Sequence, residues 1–208
     1  AEMEFNHSKS YFLIRTGKWQ EAIQASKLAI AKSKDAMGYE GLVDARQKTF
    51  GRNWYIHTMA ALATHQISAG LYSDADLSLR DAYKFAKVNG FSDDHLVDLF
   101  NRYADLRNAM GLFKDALPYA EKSEGLVMGQ GFQKGSPAWI YTQGRKNVSL
   151  VGQDRWSEAL TNFQTIDLEK SKLQNKSNAG AQSHVRGYVY LKNGKFPEAV
   201  RIYRNTLN

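Results

Sequence analysis

The stretch Gly194-Lys195-Phe196-Pro197-Glu198-Ala199 decides the fold, because its pattern of glycine, aromatic and alanine recurs along the chain. Earlier copies read Gly17-Lys-Trp19-Gln-Glu-Ala22, Gly70-Leu-Tyr72-Ser-Asp-Ala75 and Gly111-Leu-Phe113-Lys-Asp-Ala116. Another reads Asp154-Arg-Trp156-Ser-Glu-Ala159, with Gly152 displaced two positions upstream. Successive copies are 53, 41, 43 and 40 residues apart. Near-constant spacing of this kind indicates a repeat architecture.

A tight turn between two antiparallel helices accounts for the pattern. Glycine ends the first helix because it adopts the left-handed conformation without penalty. We expect the aromatic residue to pack between the two helices and the alanine to mark their closest approach. Small residues at fixed offsets on both helices favour the same close packing: Ser10, Ala63, Ala104 and Gly187 before the turns, and Ala29, Ala82 and Ser123 after them.

These residues resemble the tetratricopeptide repeat family, and the last copy fits best. In that copy the family spacing is matched by Gly187, Tyr190, Gly194, Phe196, Ala199 and Tyr203. The period of 40–43 residues is similar to the long-helix variety found in kinesin light chains and in bacterial regulatory arrays, some of which precede caspase-like protease domains. The fourth copy departs from the family pattern: Asn147 takes the small-residue position, and we expect two extra residues in its turn.

The resemblance implies an all-α fold, a right-handed superhelix of about five helical hairpins. We predict one domain, residues 1–208, with repeat units at 4–51, 52–92, 93–135, 136–176 and 177–208, forming part of a longer protein. The predicted helices cover 4–16, 19–35, 52–69, 73–89, 93–110, 114–128, 136–151, 155–173, 178–193 and 196–207. Residues 36–51 either extend the second helix or form a loop. Ser92 or Asp93, and Ser136, are candidate N-caps.

Charge and composition narrow the function classes. The net charge is +7, but the central residues 53–135 carry more Asp and Glu than Lys and Arg. A nucleic-acid-binding protein is expected to show a continuous basic stripe, so this distribution argues against nucleic acid. No apolar run approaches the roughly 20 residues of a membrane helix, so we expect a soluble protein without membrane insertion. The chain has no cysteine, which excludes disulfides and is compatible with a cytoplasmic or an exported location.

None of the candidate catalytic or metal-binding motifs has the residue order or spacing of an active site. The glycine-rich segment Gly125–Ser136 lacks the residue order of a phosphate-binding loop, and an inter-repeat linker explains it better. The five histidines show no metal-ligand spacing. Asp98 and Asp105 lie seven apart on one predicted helix face, but a polar face accounts for them without catalysis. We therefore expect no enzymatic activity, no cofactor and no metal.

The family resemblance implies that the first helix of each hairpin lines a concave groove. Projecting that register onto this sequence places these residues in the groove: His7, Tyr11, Arg15, His57, Thr64, Asp98, Asn101, Asp105, Asn108, Thr142, Lys146, His184, Tyr188 and Lys192. We expect Asn101 and Asn108 to clamp the main chain of an extended peptide, since each amide offers a donor and an acceptor. The predicted function is a scaffold that binds a protein or peptide. The alternative is a sensory or regulatory region of a larger signalling or protease-linked protein.

Overall fold

The computed structural model describes residues 2–38, 45–91, 93–173 and 183–207, and within them the secondary structure is entirely helical. Its helices are α1 (Glu2–Arg15), α2 (Trp19–Gly38), α3 (Ala45–Ser68), α4 (Tyr72–Val88), α5 (Asp93–Ala109), α6 (Phe113–Gly129), α7 (Pro137–Val151), α8 (Trp156–Lys172), α9 (Ser183–Lys192) and α10 (Phe196–Leu207). The predicted all-α helical-repeat fold is confirmed. None of the described helices is long and apolar enough to span a membrane.

The chain divides into two compact units, and the division falls inside α5. Unit 1 is Ala1–Arg102 and unit 2 is Tyr103–Asn208. In unit 1 the consecutive helices α1 to α4 pack against one another, and in unit 2 the consecutive helices α6 to α10 do so. Sequential packing of neighbouring helices is what a stack of hairpins requires. The assignment of all 208 residues to one domain stays a prediction.

All five turns of the repeated pattern close with the same pair of backbone hydrogen bonds. In the first, Gly17 N–H donates to the Ile14 carbonyl at 3.1 Å and Lys18 N–H donates to the Leu13 carbonyl at 2.9 Å. The second of these bonds is the wide bond of a Schellman turn, which requires a left-handed residue after the helix. That residue has a φ of 75° at Gly17 and Gly70, 73° at Gly111, 72° at Gly194 and 58° at Asp154.

The fourth turn corrects the sequence prediction. Asp154 adopts the left-handed conformation itself, and its turn carries the same hydrogen bonds as the other four. Gly152 has an ordinary φ of −68° and is the C-cap of α7. The expected insertion of two residues is therefore wrong, and the fourth repeat is in register. Gly152 has another role: a Cβ at that position would collide with the Phe113 ring, so glycine lets the third and fourth hairpins approach.

We expect Asp154→Gly to raise the free energy of unfolding by up to about 1 kcal/mol, because a left-handed residue with a Cβ is strained by roughly that amount. Asp154→Val should lower it by more than 1 kcal/mol, since a branched side chain tolerates this conformation least. Urea unfolding of the two variants measures both effects. A loss of stability in Asp154→Gly would contradict the strain argument.

The alanines of the pattern are buried, as expected for positions where two helices pack closely. Each is at most 2% exposed: Ala22, Ala75, Ala116, Ala159 and Ala199. The small positions before the turns, Ser10, Ala63 and Ala104, are also fully buried. The aromatic position behaves differently from the prediction, because Trp19 is 40% and Phe196 is 60% exposed. Each of these rings belongs to the first residue of the second helix, and neither is fully enclosed between the two helices of its hairpin.

The connections between hairpins agree with the sequence in most respects. Ser136 caps α7, its hydroxyl accepting from the Trp139 N–H at 3.4 Å, whereas Ser92 and the side chain of Asp93 lie outside the described residues. The glycine-rich segment is the predicted linker: α6 continues to Gly129, and Gly131 and Gly135 have φ values of 81° and 86°. In the stretch 36–51, α2 extends to residue 38 and α3 starts at residue 45, and 39–44 are outside the described residues.

Two amide side chains tie neighbouring repeats together in unit 2. Gln153 Nε2 donates to the Phe113 carbonyl at 3.2 Å, and Asn193 Nδ2 donates to the Trp156 carbonyl at 3.1 Å. Each amide directly precedes the left-handed residue of its turn, and each acceptor belongs to the aromatic residue of the preceding repeat. The bonds give the first carbonyls of α6 and α8 a second donor and join each repeat to the next.

Candidate functional site

The predicted groove residues of α5 and α7 that lie in unit 2 form contacts between these two helices. Arg145 Nη2 donates to Asp105 Oδ2 at 3.1 Å, and the ion pair also brings Arg145 Nε to 3.0 Å from Oδ1. The Arg145 guanidinium carbon lies 3.3 Å from the centre of the Tyr141 ring, and its Nη1 donates to the Tyr141 carbonyl at 3.0 Å. A hydrogen bond between two charged groups is roughly twice as strong as one between neutral groups. The charge of Asp105 is therefore neutralised by a fixed guanidinium.

Asn108 takes part in the same contact. Its Nδ2 donates to the Arg145 carbonyl at 3.3 Å, and its Oδ1 accepts from the Ser149 hydroxyl at 3.0 Å. Both ends of the amide are thus engaged within unit 2. The expected clamp on a peptide backbone is not formed by Asn108 in this arrangement, because its donor and acceptor already join α5 to α7.

Thr142 and Lys146 face α6. Thr142 is completely buried, with its hydroxyl 3.2 Å from that of Ser123. Lys146 Nζ lies 3.1 Å from Glu124 Oε2, while Glu124 Oε1 accepts from the Trp139 indole N–H at 3.2 Å. A buried hydroxyl does not reach a ligand on the surface, so Thr142 joins α6 to α7. Lys146 is about one quarter exposed and is paired.

In unit 1, the predicted residues of α5 are also engaged or buried. Asp98 pairs with Arg102 one turn later, with 3.2 Å between Oδ1 and Nη2. Asn101 is 1% exposed, so its amide is buried. The acidic centre that the sequence suggested is therefore balanced: Asp98 and Asp105 each have a guanidinium partner in their own unit.

The predicted residues of α1 and α3 form an aromatic cluster in unit 1. His7 and His57 stack with ring centres 6.2 Å apart, and the Trp54 ring lies edge-on 5.0 Å from His7. Tyr11 makes edge contacts with His7 at 5.1 Å and with His65 at 5.4 Å. His57 and Tyr11 are exposed, so this cluster reaches the surface of unit 1. The other two predicted residues, Arg15 and Thr64, are exposed and half-buried respectively.

His65 is a buried polar residue that the register did not single out. It is completely inaccessible, and its Nδ1 lies 3.0 Å from the Ser26 hydroxyl of α2, while Nε2 has no hydrogen-bond partner among the residues that the structure describes. Burial, aided by the positive fields of His7 and Arg102, lowers the pKa of His65 to about 4. Burial, and secondarily His57, also lowers the pKa of His7. Both rings are neutral at pH 7, because desolvation disfavours the charged form.

The predicted residues of α9 remain accessible. His184, Tyr188 and Lys192 recur every four residues along one face of that helix, and all three are exposed. The Tyr188 ring meets Trp156 of α8 edge-on, with ring centres 5.4 Å apart at 89°. Lys192 Nζ lies 5.3 Å from the Tyr188 ring and 5.6 Å from the Trp156 ring. These two cation–π contacts hold the ammonium group over an accessible aromatic surface.

Across 2–38, 45–91, 93–173 and 183–207, no three His, Asp or Glu side chains are arranged to hold a metal ion. A cleft of about 440 Å³ lies among α6, α7 and α8, and its charged lining residues are Glu121, Lys146, Arg155 and Glu158. Arg155 donates two bonds of 2.7 Å to Glu158, so these two charges pair with each other.

The comparisons with known proteins establish the class of fold, which is that of TPR-like helical repeats. Two crystal structures of a Podosopora anserina protein, described as a kinesin light chain with nearly identical TPR-like repeats, are similar to the chain. A single-residue variant has a TM-score of 0.68 and 15% identity, covering 98% of this chain and 92% of that one. The other has a TM-score of 0.67 and 15% identity, covering 97% and 92%. No family model and no curated protein matches the sequence.

Proposed function

We propose that the chain is a non-enzymatic scaffold that binds a partner protein or an extended peptide on exposed faces of the first helices of its hairpins. The TPR-like fold supports this proposal, since it commonly mediates protein–protein interaction. Repeat arrays present extended surfaces for this purpose. The alternative function is that of a regulatory region of a larger protein. It would use the same surfaces, and it differs only in that binding controls another activity of that protein.

The observation that carries the proposal is the face of α9. The exposed residues His184, Tyr188 and Lys192 recur at one-turn spacing. The Tyr188 ring also contacts the Trp156 ring edge-on. Tyrosine is enriched at binding hot spots because it offers a large amphipathic surface at a small entropic cost. The aromatic contacts restrain Tyr188 and Lys192 before binding. Less side-chain conformational entropy is therefore lost when a partner binds.

In unit 1 we propose a separate contact surface at His57, next to His7 and Tyr11. The stacked histidines and Trp54 supply flat rings on which a partner side chain can pack. We propose a structural role, without direct contact to the partner, for the remaining predicted residues: Asp98, Asn101, Asp105, Asn108, Thr142 and Lys146. Their bonds and burial hold the helices in place, and this fixes the positions of the exposed residues.

We expect the double substitution His184→Ala and Tyr188→Ala to weaken binding of a partner captured with the wild-type chain by at least tenfold, about 1.4 kcal/mol. The melting temperature should change little, because both side chains are exposed. Leu168→Ala is the matched control, since Leu168 is 55% exposed on α8. Titration calorimetry gives the affinities.

Two outcomes would contradict the proposal. Equal affinities for the double variant and the wild type would remove α9 as the contact face. Affinity for RNA or DNA that falls steeply with salt concentration, without any captured protein, would favour nucleic acid instead.

A further inference from the structure

Two Asn–Gly dipeptides occur in the chain, Asn89–Gly90 and Asn193–Gly194. Both lie at a helix end, where the glycine is left-handed, with a φ of 62° at Gly90 and 72° at Gly194. Asparagine is a thermolabile residue, and it is most labile before glycine, because no Cβ shields the backbone nitrogen that attacks the side-chain amide. The two dipeptides are therefore a matched pair that differs in its surroundings.

The side chain of Asn193 is held by one more hydrogen bond than that of Asn89. Asn89 Nδ2 donates to the Phe85 carbonyl at 2.9 Å. Asn193 Nδ2 makes the same local bond to the Val189 carbonyl, also four residues earlier, at 2.8 Å. It donates in addition to the Trp156 carbonyl of the preceding repeat at 3.1 Å. Among the described residues, Asn89 makes no such bond to another hairpin, so its amide can turn toward the backbone after losing a single bond.

The backbone nitrogen that would attack is also held less tightly at Gly90. It lies 3.5 Å from the Lys87 carbonyl oxygen, at the outer limit of a hydrogen bond. The Gly194 nitrogen donates to the Leu191 carbonyl at 3.0 Å. Both glycines are exposed, so access to water does not separate the two sites. The weaker hydrogen bond makes the Gly90 nitrogen easier to deprotonate and to move toward the side chain.

We propose that Asn89 deamidates spontaneously in the folded protein, whereas the bond to Trp156 protects Asn193. The Gly90 nitrogen, after losing its proton to hydroxide, attacks Cγ of Asn89. A bond between these two atoms forms, the bond from Cγ to Nδ2 breaks, and the amide group leaves as ammonia with a proton from water. The resulting succinimide ring adds one water molecule and opens to aspartate or isoaspartate. Water is the only co-reactant, and nothing is oxidised or reduced.

Either product alters the end of α4. A carboxylate lacks the donor that the amide offers to the Phe85 carbonyl, and its negative charge lies at the C-terminus of a helix, where the helix dipole disfavours it. Isoaspartate also adds a methylene group to the main chain directly before Gly90. The hydrogen bond from the Phe91 N–H to the Ala86 carbonyl, which closes this turn at 3.1 Å, then loses its geometry. Deamidation therefore loosens the end of α4 in unit 1 and changes its charge.

Incubation of the full chain at 37 °C and pH 8, followed by peptide mapping with mass spectrometry, measures the conversion of each amide to an acid. Asn89 should convert at least tenfold faster than Asn193, because the reaction requires a local opening that the bond to Trp156 makes rarer. Raising the pH should speed the reaction at Asn89, since the deprotonated nitrogen attacks. In concentrated urea the two sites should react at similar rates, because neither is then held by the fold.

Equal rates at the two sites of the folded chain, or an Asn89 that stays intact, would overturn the proposal. A difference in rate that persists in urea would assign it to the flanking sequence and not to the fold. Asn89→Asp mimics one product and should lower the melting temperature. Gln24→Glu makes the same amide-to-acid change at an exposed position of α2 and should leave it nearly unchanged. The same melting temperature in Asn89→Asp as in the wild type would contradict the effect on α4.

Discussion

Lowering the pH from 6.5 to 4 should cost the protein about 3 kcal/mol of unfolding free energy through His65 alone. The folded-state pKa of His65 is lowered from 6.5 to about 4, mainly by burial. As the pH falls through this window, the unfolded chain binds the proton and the folded chain does not, so the equilibrium moves toward unfolding. Each pKa unit corresponds to about 1.4 kcal/mol. The stabilisation is complete above pH 6.5 and is exhausted below about pH 4.

Urea unfolding at a series of pH values between 7 and 4 measures this loss. In His65→Gln, the amide can still bond to Ser26 but does not titrate, so the decrease in unfolding free energy should be smaller by about 3 kcal/mol. His184→Gln, at an exposed position of unit 2, controls for the loss of a histidine as such. Identical pH dependence in the wild type and His65→Gln would show that His65 is not held neutral by burial.

Replacing a buried turn alanine by leucine should lower the free energy of unfolding by about 1–3 kcal/mol, since overpacking a helix contact forces the backbones apart. Ala75 and Ala116 are completely buried in units 1 and 2 respectively, so each change tests one unit. Ala31→Leu makes the same substitution on an exposed part of α2 and should be nearly neutral.

Chemical denaturation of the three leucine variants provides the comparison. Equal effects at the buried and exposed alanines would mean that the repeat register does not identify the helix contacts. A large effect at Ala75 with none at Ala116 would restrict the close packing to unit 1.

The sequence predicted the helices well because the turn is a local feature. Glycine at a left-handed position, followed by a buried alanine, depends on neighbouring residues only, and each copy repeats the same backbone geometry. The prediction for the fourth turn is wrong because Gly152 resembles the turn glycines of the other copies, whereas Asp154 occupies the left-handed position. Aspartate also tolerates the left-handed conformation, and its position at the constant spacing was the better signal.

The surroundings of the candidate binding residues were harder to predict, because periodicity does not distinguish polar residues that face solvent from those that face another helix. Asp105 and Arg145 are 40 residues apart, and only the packing of α5 against α7 brings them together. The same holds for His65 and Ser26, whose hydrogen bond joins positions 39 residues apart. One signal was available for these contacts: both separations are close to the repeat period, where polar pairs between neighbouring hairpins are expected.

Site-specific photo-crosslinking tests the central claim, that the exposed first-helix face of α9 binds a partner protein. A photoreactive phenylalanine analogue in place of Tyr188 should yield one dominant protein adduct, and the same analogue in place of Leu168 on α8 should not. His184→Ala should reduce the adduct at position 188 without changing the melting temperature. Equal crosslinking from positions 188 and 168, or an adduct at 188 that His184→Ala leaves unchanged, would contradict the claim.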